Sequence, residues 1–178
     1  MHDLIGEAGA PSFDDPLGML VACHGRIERQ LETLQRLAAH LPENGADRDA
    51  QSAARAILRY FDNAAPNHHA DEEASVFPRL LARRPAARDL VATLEGEHHG
   101  VFDANWKRLR PLLAAIAAGT RDVLPPDLVR EVRAAYESHI AAENETLIPM
   151  CAETLTPGEL EEIGREMAAR RAVAWPNK

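Results

Sequence analysis

Two copies of a His-x-x-x-Glu motif, separated by about half the chain, are the residues best suited to chemistry. The first pairs His68 with Glu72, and the second pairs His139 with Glu143. Residues four apart lie on the same face of a helix, so each copy presents an imidazole beside a carboxylate. These are good ligands for a first-row transition metal. One such pair is common on a helix surface, but its repetition predicts a metal site.

The repeat also extends beyond the motif. Both copies end with an apolar residue followed by proline, Phe77-Pro78 in the first and Ile148-Pro149 in the second. An equally spaced pair, His69 and Glu73, lies one residue later than the first motif. Aligning the prolines places Glu72 on Glu143, so we prefer the earlier pair and keep the later one as the alternative.

Two single histidines occupy positions where a helix would bury an apolar residue. Apolar residues recur at spacings of three and four over residues 17–41 and again over residues 90–116. This spacing is typical of the seam of a bundle helix. His24 lies in the first stripe and His98 in the second, so both are predicted to face the interior.

Neighbouring polar residues leave alternatives open. His99 would face inward only if His98 did not, and the stripe favours His98. Glu28, four residues after His24, could form a third pair but is expected to face water or to support a ligand. Glu97 and Glu145 are interpreted in the same way.

The elements that position these residues are predicted to be helices. The chain is 46% hydrophobic and only 4% aromatic, and it is rich in Ala, Leu, Glu and Arg, which favours helix over sheet. Capping signals at Asp15 and Thr156 precede periodic segments, and further helices are predicted to begin near Asp47 and at Pro125-Pro126-Asp127. A kink or restart is expected at Pro66.

Four long helices with short connections predict an all-α fold, an antiparallel up-down-up-down four-helix bundle with a short fifth C-terminal helix. The bundle is assigned to residues 15–155. Residues 1–14 are predicted to form a loose arm, and residues 156–178 the fifth helix and tail. At 178 residues, a second domain is not expected.

Composition excludes several classes of function. Twenty Lys and Arg against 28 Asp and Glu give a net charge of −8 without a basic stripe, which disfavours nucleic-acid binding. No signal peptide or membrane-length apolar run is found. Two cysteines are too few for a disulfide framework or a zinc ribbon. We therefore expect a cytoplasmic protein.

Each of the four long helices contributes inward ligands, as metal sites in bundle cores require. Four imidazoles and two carboxylates exceed the needs of one tetrahedral zinc. They suit two ions, each held by two histidines, with both glutamates bridging. The predicted ligands are His24, His68, Glu72, His98, His139 and Glu143.

These motifs and single histidines resemble the hemerythrin family, and most closely its bacterial HHE cation-binding branch. The resemblance spans roughly residues 15 to 155. It implies two non-heme iron ions on the six residues above, bridged by carboxylates and by an oxo group when ferric, with zinc or manganese as alternative occupants. Oxygen-carrying members have a further histidine where this chain has Phe102, and a more distant Asp in place of Glu143.

The resemblance therefore implies sensing, detoxification or iron handling rather than simple oxygen transport, with oxygen, nitric oxide or peroxide as the ligand. The resemblance thus favours a protein that binds metal and diatomic molecules over a conventional enzyme. The competing hypotheses are a di-iron oxidase, an iron-sulfur repair enzyme, and a metal storage or sensing module without redox chemistry.

Overall fold

The computed structural model describes residues 12–175, which form helices and turns without a β-strand. The prediction of an all-helical fold is confirmed. Residues 1–11, most of the predicted N-terminal arm, and residues 176–178 lie outside the described part of the chain.

Five helical runs follow one another within residues 12–175. They are α1 (Pro16–Asn44), α2 (residues 48–83), α3 (residues 88–117), α4 (residues 126–154) and α5 (Pro157–Arg170), with a 3₁₀ turn at Pro85–Ala87 before α3. Helix α1 begins where the Asp15 side chain accepts a hydrogen bond from the Gly18 amide at 2.9 Å. Helix α2 begins at Asp47 in the same way, through the Ala50 amide at 2.8 Å. Each cap satisfies an amide that has no partner within the helix.

The predicted start of α5 is confirmed by a capping box. The Glu159 amide donates to the Thr156 hydroxyl, and the Thr156 amide donates to the Glu159 carboxylate. The buried side chains of Ile163 and Met167 then pack α5 against the rest of the molecule.

Wider, π-helical turns interrupt the three runs α2, α3 and α4. Within residues 12–175 they span Tyr60–Ala64, Glu72–Val76, His98–Phe102 and Glu143–Leu147. A proline lies two residues after three of these turns, namely Pro66, Pro78 and Pro149. Proline has no N–H and its ring crowds the carbonyl four residues earlier, and a wider turn relieves both problems. The expected restart at Pro66 is therefore replaced by a π turn within a continuous helical run.

The four long helices contact one another in a ring. Helix α1 packs against α2 and α4, and α3 packs against the same two helices. The last turns of α2 and α4 also contact each other, and α5 lies on α1 and α2. Among the described residues, no helix is long and apolar enough to cross a membrane.

The interior divides into two apolar clusters with a polar layer between them. On α1, Leu20 belongs to one cluster and Ile27 to the other, with His24 between them. On α3, Leu94 and Phe102 flank His98 in the same manner. The two clusters fix the four helices above and below the polar layer, and so hold its side chains in place.

Candidate metal centre

The structure brings all six sequence-predicted side chains into one buried layer. His24, His68, Glu72, His98, His139 and Glu143 are each at most 2% exposed. Charged or titratable groups are rarely buried so completely unless they are paired or bind a metal. The layer is therefore a candidate metal centre.

The six residues divide into two groups that share both glutamates. One group is His24, His68, Glu72 and Glu143, and the other is His98, His139, Glu72 and Glu143. In each group, one ligand atom per residue lies within 4.8 Å of all the others. Two adjacent sets of nitrogen and oxygen donors could hold metal ions.

Each carboxylate turns one oxygen towards each histidine pair. Glu72 Oε1 lies 3.4 Å from His68 Nε2, and Glu72 Oε2 lies 3.6 Å from His98 Nε2. Glu143 Oε2 lies 2.9 Å from His24 Nε2, and Glu143 Oε1 lies 3.1 Å from His139 Nε2. Both glutamates are thus placed to bridge two positions.

The outward-facing ring nitrogens of three histidines are held by hydrogen bonds. His98 Nδ1 lies 2.7 Å from Glu73 Oε1, and His139 Nδ1 lies 2.6 Å from Glu97 Oε2. His24 Nδ1 lies 2.7 Å from Asn144 Oδ1. Since these oxygens accept, each Nδ1 donates, so in the neutral ring the lone pair is on Nε2, towards the centre. This is the arrangement by which neighbouring groups orient metal-binding histidines.

Several atoms at the centre have no hydrogen-bond partner among the described residues. Besides Nδ1 of His68, they are His24 Nε2, both oxygens of Glu72 and both oxygens of Glu143. The 2.9 Å separation between His24 and Glu143 lacks the alignment of a hydrogen bond. Buried unpaired acceptors are costly, and cations bound between these oxygens and His24 Nε2 would satisfy them. The donor set therefore fits metal ions.

Proton binding at the centre is strongly perturbed. Burial alone would lower the pKa of His24, but the carboxylates of Glu143 and Glu72 raise it to about 10. Burial and the nearby Glu143 raise the pKa of Glu72 well above its ordinary value. Burial would also raise the pKa of Glu143, but the adjacent His139 and His24 lower it. Without metal, protons occupy positions that a cation would otherwise take.

The alternatives left open by the sequence lie outside the layer. His69 is half-buried and stacks on His98, with ring centroids 4.0 Å apart, and Glu73 supports His98. His99 is 67% exposed and contacts Glu73. Glu28 and Glu145 are exposed. None of these residues belongs to either four-residue group.

Aromatic rings close one side of the centre. Phe102 stacks on Tyr136, with centroids 4.0 Å apart, and its ring meets His139 edge-on at 4.8 Å. Both rings are buried. They provide an aromatic wall beside His139 that carries no nitrogen ligand.

Two supporting residues received no role from the sequence. Asn144 directly follows Glu143, as Glu73 follows Glu72, and comparing the repeats one residue further would have identified it. Asp71 directly precedes Glu72, is fully buried, and is held by Arg170, the last residue of α5, and by Arg171, which follows it. Its cations are about 100 residues away in sequence, so no local pattern indicated this contact.

Comparison with known proteins agrees with these features. The family described as hemerythrin HHE cation binding domain matches residues 15–151. An uncharacterized protein of Haemophilus influenzae is 33% identical over 162 residues, which cover 91% of this chain and 93% of the relative.

Proposed function

The chain belongs to the hemerythrin HHE cation-binding family, and on that basis we propose that its buried centre holds two non-heme iron ions that bind or react with oxygen, nitric oxide or peroxide. His24 and His68 would hold one ion, and His98 and His139 the other. Glu72 and Glu143 would bridge the two.

The orientation of the two carboxylates carries this proposal. Each glutamate presents one oxygen to each histidine pair, at 2.9 to 3.6 Å from the nearest Nε2 atoms. A site for a single ion would need neither the second histidine pair nor the second oxygen of each carboxylate. Imidazole and carboxylate together suit iron, and zinc or manganese are the alternative occupants.

Bound iron would supply Lewis acidity and electron transfer to a small ligand. The residues of this chain orient the metal ligands and exclude water. Glu73, Glu97 and Asn144 orient three of the imidazoles, and the two apolar clusters keep bulk water away from the layer.

The burial of the centre favours a small ligand. All six proposed ligand side chains are at most 2% exposed, so a large substrate could not reach them without opening the helices. Diatomic molecules and peroxide are small enough to pass between packed side chains. Because Phe102 adds no nitrogen, we expect reaction or nitric oxide binding rather than stable oxygen storage.

The proposal includes an antiparallel up-down-up-down bundle formed by α1 to α4. Helices α1 and α3 each pack against α2 and α4, α2 and α4 also contact each other, and the connections between the helices are short. Such an arrangement brings one inward face of every helix to the same layer.

Metal analysis of the purified protein followed by gas exposure tests the function. We expect about two irons per chain, rapid loss of ferrous iron in air as measured with a ferrous chelator, and a visible absorption change when nitric oxide is added without oxygen. The variant His40→Ala, whose side chain lies near Asp47 and away from the centre, should behave like the wild type.

Other outcomes would contradict the proposal. Stable oxygenation over many cycles would indicate an oxygen carrier. Zinc alone, or ferrous protein that reacts with neither gas, would indicate storage or non-redox metal binding.

A further inference from the structure

The two halves of the centre correspond to each other in the sequence but differ in their supporting residues. Aligning His68 with His139 places Glu73 opposite Asn144. The single histidines correspond as well, and the residue before His98 is Glu97, whereas the residue before His24 is Cys23. Each comparison therefore sets a carboxylate against an uncharged residue, Glu73 against Asn144 and Glu97 against Cys23.

The hydrogen bonds follow this difference. We call His98 and His139 the carboxylate-backed pair, because their Nδ1 atoms lie 2.7 and 2.6 Å from carboxylate oxygens of Glu73 and Glu97. We call His24 and His68 the amide-backed pair. His24 Nδ1 donates to the neutral amide of Asn144, and the buried Nδ1 of His68 has no partner among residues 12–175.

This difference changes the strength of the donors. A carboxylate that accepts the Nδ1–H of an imidazole increases the basicity of Nε2 and fixes the direction of its lone pair. A neutral amide fixes the direction but polarises the ring less. His68 receives neither form of support, so the amide-backed pair should be the weaker set of donors.

Building on the proposed function, we infer that the two metal positions are unequal: the first ion binds at the carboxylate-backed pair, and the second binds more weakly at the amide-backed pair. Glu73 and Glu97 are positioning residues that set this order through His98 and His139. Both carboxylates are partly buried, at 23% and 33% exposure, which weakens competition from water. A chain that holds a single ion would then carry it at the carboxylate-backed pair.

Titration of metal-free protein with Co²⁺, followed by absorption and calorimetry, tests this order. Two binding steps are expected in the wild type. His98→Ala should remove the tighter step, whereas His24→Ala should retain it. Equal steps in the wild type, or loss of the tighter step in His24→Ala alone, would overturn the inference.

Isosteric variants test the positioning residues themselves. Glu73→Gln and Glu97→Gln should each weaken the first step by about 10–100-fold, the usual effect of losing such a partner, and leave the second unchanged. Asn144→Asp should strengthen the second step, because it places a carboxylate on His24 Nδ1 without changing the size of the side chain. The matched control Glu145→Gln removes one charge from an exposed neighbour and should change neither step.

The outcomes separate this inference from the proposed function. If the wild type binds two Co²⁺ ions but Glu73→Gln and Glu97→Gln behave like Glu145→Gln, the role given to Glu73 and Glu97 is wrong and metal binding stands. If the folded wild type binds no metal, the proposed function is wrong. Asn144→Asp is expected to strengthen the second binding step, and a misfolded variant could not do so. This variant therefore tests the inference even if the other variants lose metal binding because they fail to fold.

Discussion

The Nε2 atoms of His98 and His139 lie 3.1 Å apart, although the Nδ1 atom of each ring already donates to a carboxylate. Two lone pairs therefore face each other in a buried layer. A proton or a cation must lie between them, since nothing else relieves their repulsion. This relationship links the stability of the chain to metal binding.

Removal of metal should lower the melting temperature. The unpaired carboxylate and imidazole atoms of the empty centre oppose folding, whereas an ion bound only by the folded chain stabilises it. At a free metal concentration of about 100 times Kd, one site adds about 2.7 kcal/mol, and each kcal/mol shifts the melting temperature by about 2–4 °C at this chain length. Calorimetry of stripped and reloaded protein measures the shift. Identical melting curves, with metal loss verified, would contradict a buried site.

Loss of a bridging carboxylate should affect both metal positions. Glu72→Ala or Glu143→Ala should reduce the metal content from two ions per chain to one or none, because each side chain faces both histidine pairs. Glu73→Ala should remain near two at saturating metal, since Glu73 acts only through His98. Elemental analysis of the purified variants gives the count. The opposite ranking of Glu72 and Glu73 would mean that His69 and Glu73 are the ligands.

Metal binding should release protons. The pKa of His24 is raised to about 10 by Glu143 and Glu72 against the effect of burial, so near pH 7 a metal must displace its proton. The apparent affinity should therefore increase with pH up to about 10. Calorimetric titration in two buffers with different ionisation enthalpies should give different heats, equivalent to at least one proton per chain. Heats that do not depend on the buffer would show that His24 is already neutral.

The ion pairs of Asp71 should contribute strongly to stability. Asp71 is fully buried, and Arg171 Nη2 lies 2.6 Å from its Oδ2, while Arg170 binds the other oxygen. The double variant Arg170→Ala with Arg171→Ala leaves a buried carboxylate without a cation, and we expect a loss of about 3–5 kcal/mol. Denaturant unfolding measures the loss.

The matched control for this variant is Arg36→Ala. Arg36 pairs with Glu32 at 4.0 Å, but both side chains are more than half exposed. Its removal should cost less than about 0.5 kcal/mol. Equal effects of the two changes would mean that Asp71 is accessible to water.

Local sequence patterns determined the helices and the six inward-facing residues. The four-residue spacing within each His-Glu motif and the contacts of the capping residues all lie within one or two helical turns. Such effects can be predicted without knowledge of the rest of the chain. The helix limits at Asp15, Asp47 and Thr156 were predicted for the same reason.

Contacts between helices were decided only by the tertiary structure. The pairing of Glu73 with His98, of Glu97 with His139 and of Asn144 with His24 joins residues 25, 42 and 120 positions apart. Each depends on how one helix is rotated and shifted against another, and the π turns before the prolines alter that rotation. Helical periodicity alone identifies the inward face of each helix. The packing of the two apolar clusters sets the height and rotation at which those faces meet, and hence which histidines gain a carboxylate.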